Sequence, residues 1–258
     1  MSATEPLRST RKLYYEDALR AAADARVVLV ADGKIELDRT VAFAEGGGQE
    51  GDHGIIRTST GRELRFVDTQ KRLGHPLMLK DFPVVNVNCI VDHIVNPDDA
   101  NMLEDLTIGE VVRVEIDVVR RASLTLSHTA SHLVYMAAEQ VRPDAVKYTK
   151  GCHIKTDSAR FDFATSERFT HEQVAEIARR ASVLAEADHT IRLYAHPDEP
   201  EAIYWECAGE VIPCGGTHLD RTGPVGQILL RRKSLGRGLE RLTLTFPDGR
   251  IDVSSYHG

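Results

Sequence analysis

Two short stretches constrain this chain more than any other part of it: His128-Thr-Ala-Ser-His132 and Cys214-Gly-Gly-Thr-His218. Each offers two metal-capable side chains four positions apart, and more than eighty residues lie between them. Only a folded domain can bring them together. Leu124 to Val141 contains no Gly or Pro and reads as a helix that ends before Pro143. At 3.6 residues per turn, His128 and His132 sit one above the other, while Leu126, Ala130, Leu133, Ala137 and Val141 fall on the opposite side. The pair therefore faces away from that apolar stripe, toward water or a cleft. Gly215 and Gly216 suit a tight turn that lets backbone approach a ligand closely. Three imidazoles and one thiolate form a borderline-soft set that suits zinc. An HxxxH pair alone arises often by chance. Two compact pairs in one chain point to a shared site. A closed four-ligand zinc site is usually structural, so a structural role stays open beside a catalytic one. A zincin protease does not fit, because Thr129 stands where HExxH needs Glu.

At 258 residues the chain is long enough to bury a substantial core as one large domain or two smaller ones. No apolar run approaches membrane-spanning length, and Met1 to Arg20 carries no signal-peptide pattern, so a cytoplasmic protein with no membrane partner is expected. Four cysteines (Cys89, Cys152, Cys207, Cys214) do not resemble a disulfide framework in a chain this long. The formal net charge of −7 argues at first against a nucleic-acid partner. However, Arg221 to Arg241 holds six basic residues against Glu240 alone, leaving −12 on the remainder. Such a local basic patch can hold phosphates, although a solvated charged strand end has the same composition.

Arg26–Val30 and Ile35–Leu37 are strand-like around Asp32-Gly33, a hairpin signal. Lys12–Ala25 before them reads as a short helix or irregular lead-in. Residues 46–54 hold five glycines, interleaved with Gln49 and Asp52, a loop whose N–H groups can face an anion or nucleotide. It matches neither the Walker nor the Rossmann pattern. Glu63–Asp68, Val84–Val91 and Val111–Val118 continue the short strands, which suggests a small β-barrel. After the histidine helix come strands at 151–155 and 159–163, with Asp162 on the face opposite Phe161 and Phe163. Thr170 and Gln173 form a capping box for a helix striped by Val174, Ile177, Ala178, Ala181 and Leu184. Strands at 191–194, 203–205, 225–232 and 239–246 close the chain. The expected fold is α+β: residues 1–119 a small barrel with a glycine-rich loop, residues 120–258 helices packed on a mainly antiparallel sheet.

Phe43-Ala-Glu-Gly-Gly-Gly-Gln49-Glu-Gly-Asp52, Arg120-Arg121, the two His-containing motifs, Arg160-Phe-Asp-Phe163 and Gly236-Arg237-Gly238 occur in one order along the chain. In this they resemble the free-standing alanyl-tRNA editing proteins (the AlaX group) and the editing domain of alanyl-tRNA synthetase. Threonyl-tRNA editing domains are related, but the Cys-Gly-Gly-Thr-His form is the alanyl one. The resemblance implies a zinc-dependent hydrolase that deacylates mischarged tRNA(Ala), chiefly the seryl form with the glycyl form second. It implies His128, His132, Cys214 and His218 as the Zn2+ ligands, and Thr149 as a site residue beside His128 and His132. Gln49, Gly47, Gly48 and Asp162 would meet the substrate. Arg231, Arg232, Lys233 and Arg237 would hold phosphates of the tRNA acceptor end. The alternatives are a deacylase of threonyl-type specificity and a non-catalytic zinc-containing tRNA-binding module. Residues 69–106 fit this pattern weakly, and Pro76–Val84 looks inserted. Neither sequence motif speaks to the oligomeric state.

Overall fold

The computed structural model describes residues 8–258; residues 1–7 of the expected N-terminal portion lie outside the described residues. The first half contains β1 (Arg11–Lys12), β2 (Ala22–Ala31), β3 (Lys34–Leu37), β4 (Arg39–Thr40), β5 (Gly54–Thr58), β6 (Glu63–Arg72), β7 (His75–Leu77), β8 (Val85–Val87), β9 (Ile90–Val95) and β10 (Val111–Ile116). Six of these close a barrel in the order β10-β2-β3-β9-β6-β5, with every neighbouring pair antiparallel. Alternation puts Ile56, Leu64, Phe66, Val112 and Val114 inside it, each essentially buried. The β2–β3 turn has Asp32 and Gly33 both at positive φ, the primed geometry that matches strand twist.

The second half opens with α1 (Val118–Val141) and α2 (Pro143–Val146), then β11 (Thr149–Ile154), β12 (Ala159–Ala164) and α3 (His171–Glu186). It continues with β13 (Ile191–His196), β14 (Glu199–Cys207), β15 (Glu210–Pro213), β16 (Leu229–Gly236) and β17 (Leu239–Thr245). One antiparallel sheet runs β11-β12-β17-β16 and another β13-β14-β15. Phe161, Phe163, Leu242 and Leu244 from the first sheet pack with Leu133 and Ala137 of α1 and Ile177 and Ala181 of α3 in one core. The α+β architecture with a barrel is thus as the strand and helix patterns imply. The Thr170–Gln173 capping box is formed in both directions. Among the described residues no helix is long and apolar enough to cross a membrane.

Several boundaries differ from the sequence expectation. The lead-in holds only a short 3-10 turn at Leu13–Tyr15, and β2 already starts at Ala22, because alternating Ala23 and Ala25 fill the barrel. The strand expected over Val84–Val91 is broken at Asn88, which sits at positive φ. Its first part pairs with β7 as a separate hairpin, so the inserted-looking run forms its own element. The last expected strand pair shifts: Gly223–Val225 is a 3-10 turn, and β16 starts at Leu229. The helix begins at Val118, six residues early, because the Asp117 carboxylate accepts from Val119 N and Arg120 N. β-branched Val118 and Val119 had disguised that turn as strand. The division drawn between residues 119 and 120 falls inside this first turn.

α1 is also more enclosed than an amphipathic helix: every residue from Arg121 to Val134 is buried. Several of its polar side chains are therefore bonded locally or across the core. Thr129 Oγ1 donates to the Thr125 carbonyl, and Ser127 Oγ donates to that of Ser158. Arg121 and Asp52 form an ion pair with both side chains fully excluded from solvent. The Arg121 Nε donates to Asp52 Oδ2 at 2.9 Å, and its other nitrogens reach the carbonyls of Val41 and Ala18. The second Asp52 duty is to accept from Phe43 N at 2.7 Å, which folds the glycine loop back on itself. Removing one partner of such a pair strands the other charge in the interior. Replacing Arg121 with Met should therefore cost about 3–5 kcal/mol of unfolding free energy. Urea denaturation of the two proteins measures this, and a loss below about 1 kcal/mol, the range of exposed pairs, would contradict it.

Candidate metal centre

α1 carries His128 and His132 on one side, one turn apart. The loop after β15 carries Cys214 and His218. The fold brings one potential ligand atom from each of the four to within 4.8 Å of the others. Cys214 Sγ lies 3.5 Å from His128 Nε2 and 3.3 Å from His218 Nε2. Tetrahedral zinc with ordinary bond lengths requires S···N edges of roughly 3.5 Å, and these two edges are already at that spacing. The Nδ1 atoms of His132 and His218 are buried without a hydrogen-bond partner among the described residues. The three rings pack 4.1 to 5.1 Å apart by centroid, and in His128 and His218 it is Nε2 that faces the Cys214 sulfur.

Burial sets the protonation of all four. It pushes His132 down to about 3, and it lowers His128 and His218 well below the usual imidazole range, with neighbouring imidazoles adding to the effect. The three rings are thus neutral and able to donate lone pairs at physiological pH. Burial pushes the Cys214 thiol up to about 11. The thiol gives up its proton when a cation arrives to compensate the thiolate.

The glycine loop holds this cluster from outside. Gln49 is fully buried, and its Oε1 accepts from His128 Nδ1 at 2.7 Å and from Thr217 N at 3.0 Å. Its Nε2 donates to Thr217 Oγ1 at 3.0 Å. Accepting from Nδ1 fixes the His128 tautomer, which leaves Nε2 as the lone-pair atom facing Cys214. Thr125 Oγ1 completes the chain by donating to Thr217 Oγ1. Gly216 is required here by space: a Cβ would lie 2.1 Å from His128 Cε1 and 2.9 Å from Gln49 Oε1. Trp205, the single tryptophan, packs its ring 4.6 Å from that of His132.

The cluster opens on a cleft of about 670 Å³. Its walls include Tyr15, Lys71, Tyr135, Thr149, Phe161 and Glu201, together with Phe82–Asn86 of the β7–β8 hairpin region. The His pair thus faces a cleft rather than bulk water.

No protein-family model matches the chain. The alanine–tRNA ligase of Methanosphaera stadtmanae is 31% identical over 263 residues, covering 94% of this chain and 27% of its own length. The alanine–tRNA ligase of Halobacterium salinarum is 33% identical over 281 residues, covering 98% of this chain and 27% of its own length. That of Methanopyrus kandleri is 31% identical, with 96% and 27% covered. The chain is a relative of one segment of the alanine–tRNA ligases. It spans about a quarter of the length of those relatives, 27%. This bears out the resemblance drawn from the glycine loop and the two His-containing motifs.

The other expected site residues of this alanine–tRNA ligase relative are distributed unevenly. Thr149 lines the cleft, and its Oγ1 donates to the Val146 carbonyl at 2.6 Å. Gly47 lines the cleft at positive φ, while Gly48 packs so closely on Cys152 that a Cβ would lie 2.3 Å from its Sγ. Gln49 does not reach the cleft, because both ends of its amide serve His128 and Thr217. Asp162 stands on the far face of its sheet, ion-paired with Arg241 at 2.6 Å and Arg160 at 2.8 Å. Arg231, Lys233 and Arg237 are exposed on β16 and its following turn, whereas Arg232 is tied to Glu240 at 2.9 Å. Sequence reasoning gave no role to Thr217, Trp205, Lys71 or Glu201. Thr217 alone had a signal, its place inside the Cys-Gly-Gly-Thr-His run.

Replacing Gln49 with Leu should lower the cluster's affinity for a divalent metal about 10- to 100-fold, by freeing the His128 ring and its tautomer. Competition against a chromogenic chelator measures it. Unchanged affinity in a folded variant would show that the ring is held by other means.

Proposed function

We propose that this chain is a hydrolase that deacylates mischarged tRNA(Ala), chiefly the seryl form with the glycyl form second. The observation that carries the reading is the four-residue cluster opening on a cleft lined by Thr149. A zinc ion held by His128, His132, Cys214 and His218 would supply positive charge and Lewis acidity beside the ester. The neutral rings and the Gln49 contact keep those ligands preset. Thr149 donates its proton to a backbone carbonyl, so its oxygen lone pairs remain to accept from a substrate hydroxyl. A serine side chain satisfies that acceptor, and an alanine side chain leaves it unpaired. This is the direction of selectivity a proofreading hydrolase needs. Exposed Arg231, Lys233 and Arg237 are available to stem phosphates, and Arg232 is already neutralised by Glu240.

One observation favours a second reading. Four protein ligands fill a tetrahedral ion, as in structural zinc sites. On that reading the chain binds tRNA through a zinc-stiffened surface and does no chemistry.

Deacylation of seryl-, glycyl-, threonyl- and alanyl-tRNA by zinc-loaded and zinc-stripped protein separates these readings. The expected result is zinc-dependent loss of the seryl ester with the alanyl ester spared. Preferred cleavage of the threonyl ester would point to the threonyl-type specificity. Replacing Thr149 with Val should lower kcat/KM for the seryl ester about 10- to 100-fold and leave the glycyl ester nearly unaffected. Equal loss on both esters would remove Thr149 from side-chain selection, and intact seryl-tRNA in every arm would favour the binding module.

A further inference from the structure

The cleft contains a lysine with no carboxylate partner among the described residues. Lys71 lies near the end of β6, lines the cleft and extends its ammonium to Gly46, where a Cβ would lie 3.0 Å from Nζ. Its Nζ sits 5.5 Å from the centroid of the Phe43 ring. Among the described residues it makes no ion pair within 4.0 Å and no hydrogen bond. The nearby carboxylate, Glu201, is already paired with the buried Lys12 at 2.6 Å. The other nearby acids are thiols: Cys89, whose Sγ donates to the Asn86 carbonyl, and Cys214 of the metal cluster. Burial lowers the Lys71 pKa, as expected for an enclosed ammonium without a counter-ion. The second cleft lysine, Lys150, is exposed on β11. An enclosed, unpaired cation beside a substrate site favours an anionic partner that arrives with the substrate.

We propose that Lys71 forms an anion subsite of the cleft that holds a backbone phosphodiester of an RNA 3′ end, within its last two linkages. This rests on the tRNA-deacylase reading, because it assumes that the ester lies at the metal cluster. The phosphates adjoining the terminal nucleotide then enter the cleft with it. The aminoacyl group itself carries no negative charge that would pair with Lys71. The residue positions the substrate and takes no part in bond cleavage.

The test uses an uncharged RNA hairpin ending in CCA, in which each of the last two phosphodiesters is replaced in turn by a neutral methylphosphonate. With wild-type protein, one of the two replacements should weaken binding about tenfold or more. With Lys71→Met, binding should be weaker at the start and insensitive to that same replacement, whereas Lys71→Arg should retain the sensitivity. Lys150→Met, as control, should leave it intact. On seryl-tRNA, Lys71→Met should raise KM with little change in kcat, and its zinc content should match wild type. Additive losses, where Lys71→Met and the neutral linkage act independently, overturn the proposal. So does a fall in zinc content, which would assign the ammonium to the Cys214 thiolate. Because the hairpin arm needs no hydrolysis, a protein that shows the coupling but leaves seryl-tRNA intact would sink the deacylase reading and keep the subsite.

Discussion

Two buried polar contacts clamp the glycine loop to the central helix, and the rest of the architecture depends on them. Asp52 meets Arg121 at the first turn of α1, and Gln49 meets His128 one face further along it. Each joins segments about seventy to eighty residues apart, with |i−j| of 69 and 79. Neither group is solvated, so a loop moved away from the helix would leave a charge or an amide unpaired in the interior. That penalty is what turns a run of glycines into a defined wall. Gly48 and Gly216 then let the wall approach β11 and the imidazole more closely than any Cβ permits.

The same economy of parts governs the metal centre. α1 supplies two rings at fixed spacing because a helix has one pitch. The Cys214–His218 turn supplies the other two candidate ligands, and Thr217 between them bonds the Gln49 amide that orients His128. Ligand and orienting group thus alternate along five residues. Burial keeps the imidazoles neutral and the thiol protonated, so the four side chains carry no charge of their own. A divalent cation offsets the thiol's cost of ionisation.

The barrel, the two helices and the gathering of the four His and Cys side chains were legible because each has a local period or spacing: alternation in β5 and β6, the Thr170 capping box, the i, i+4 histidines. What was not legible depended on distant partners. Nothing local to Gln49 says that its amide turns inward to Thr217 and His128 rather than outward to a substrate. Asp162 looked available because alternation places it away from the core, yet Arg241 arrives from a strand almost eighty residues later, at |i−j| of 79. The start of α1 was hidden by β-branched residues that the Asp117 cap overrides. Phe82 lies in the stretch that reads as an insertion in the sequence. Its packing on Tyr204, 5.0 Å between ring centroids, depends on a sheet far along the chain.

The central claim is that four side chains, two from a helix and two from a remote turn, hold one tetrahedral ion. Cobalt(II) substitution tests it most directly, because the visible spectrum reports geometry and thiolate ligation at once. The account predicts one equivalent of cobalt with intense tetrahedral d–d bands and a sulfur-to-cobalt charge-transfer band that Cys214→Ser removes. Weak octahedral bands, or a charge-transfer band that survives in Cys214→Ser, would contradict it.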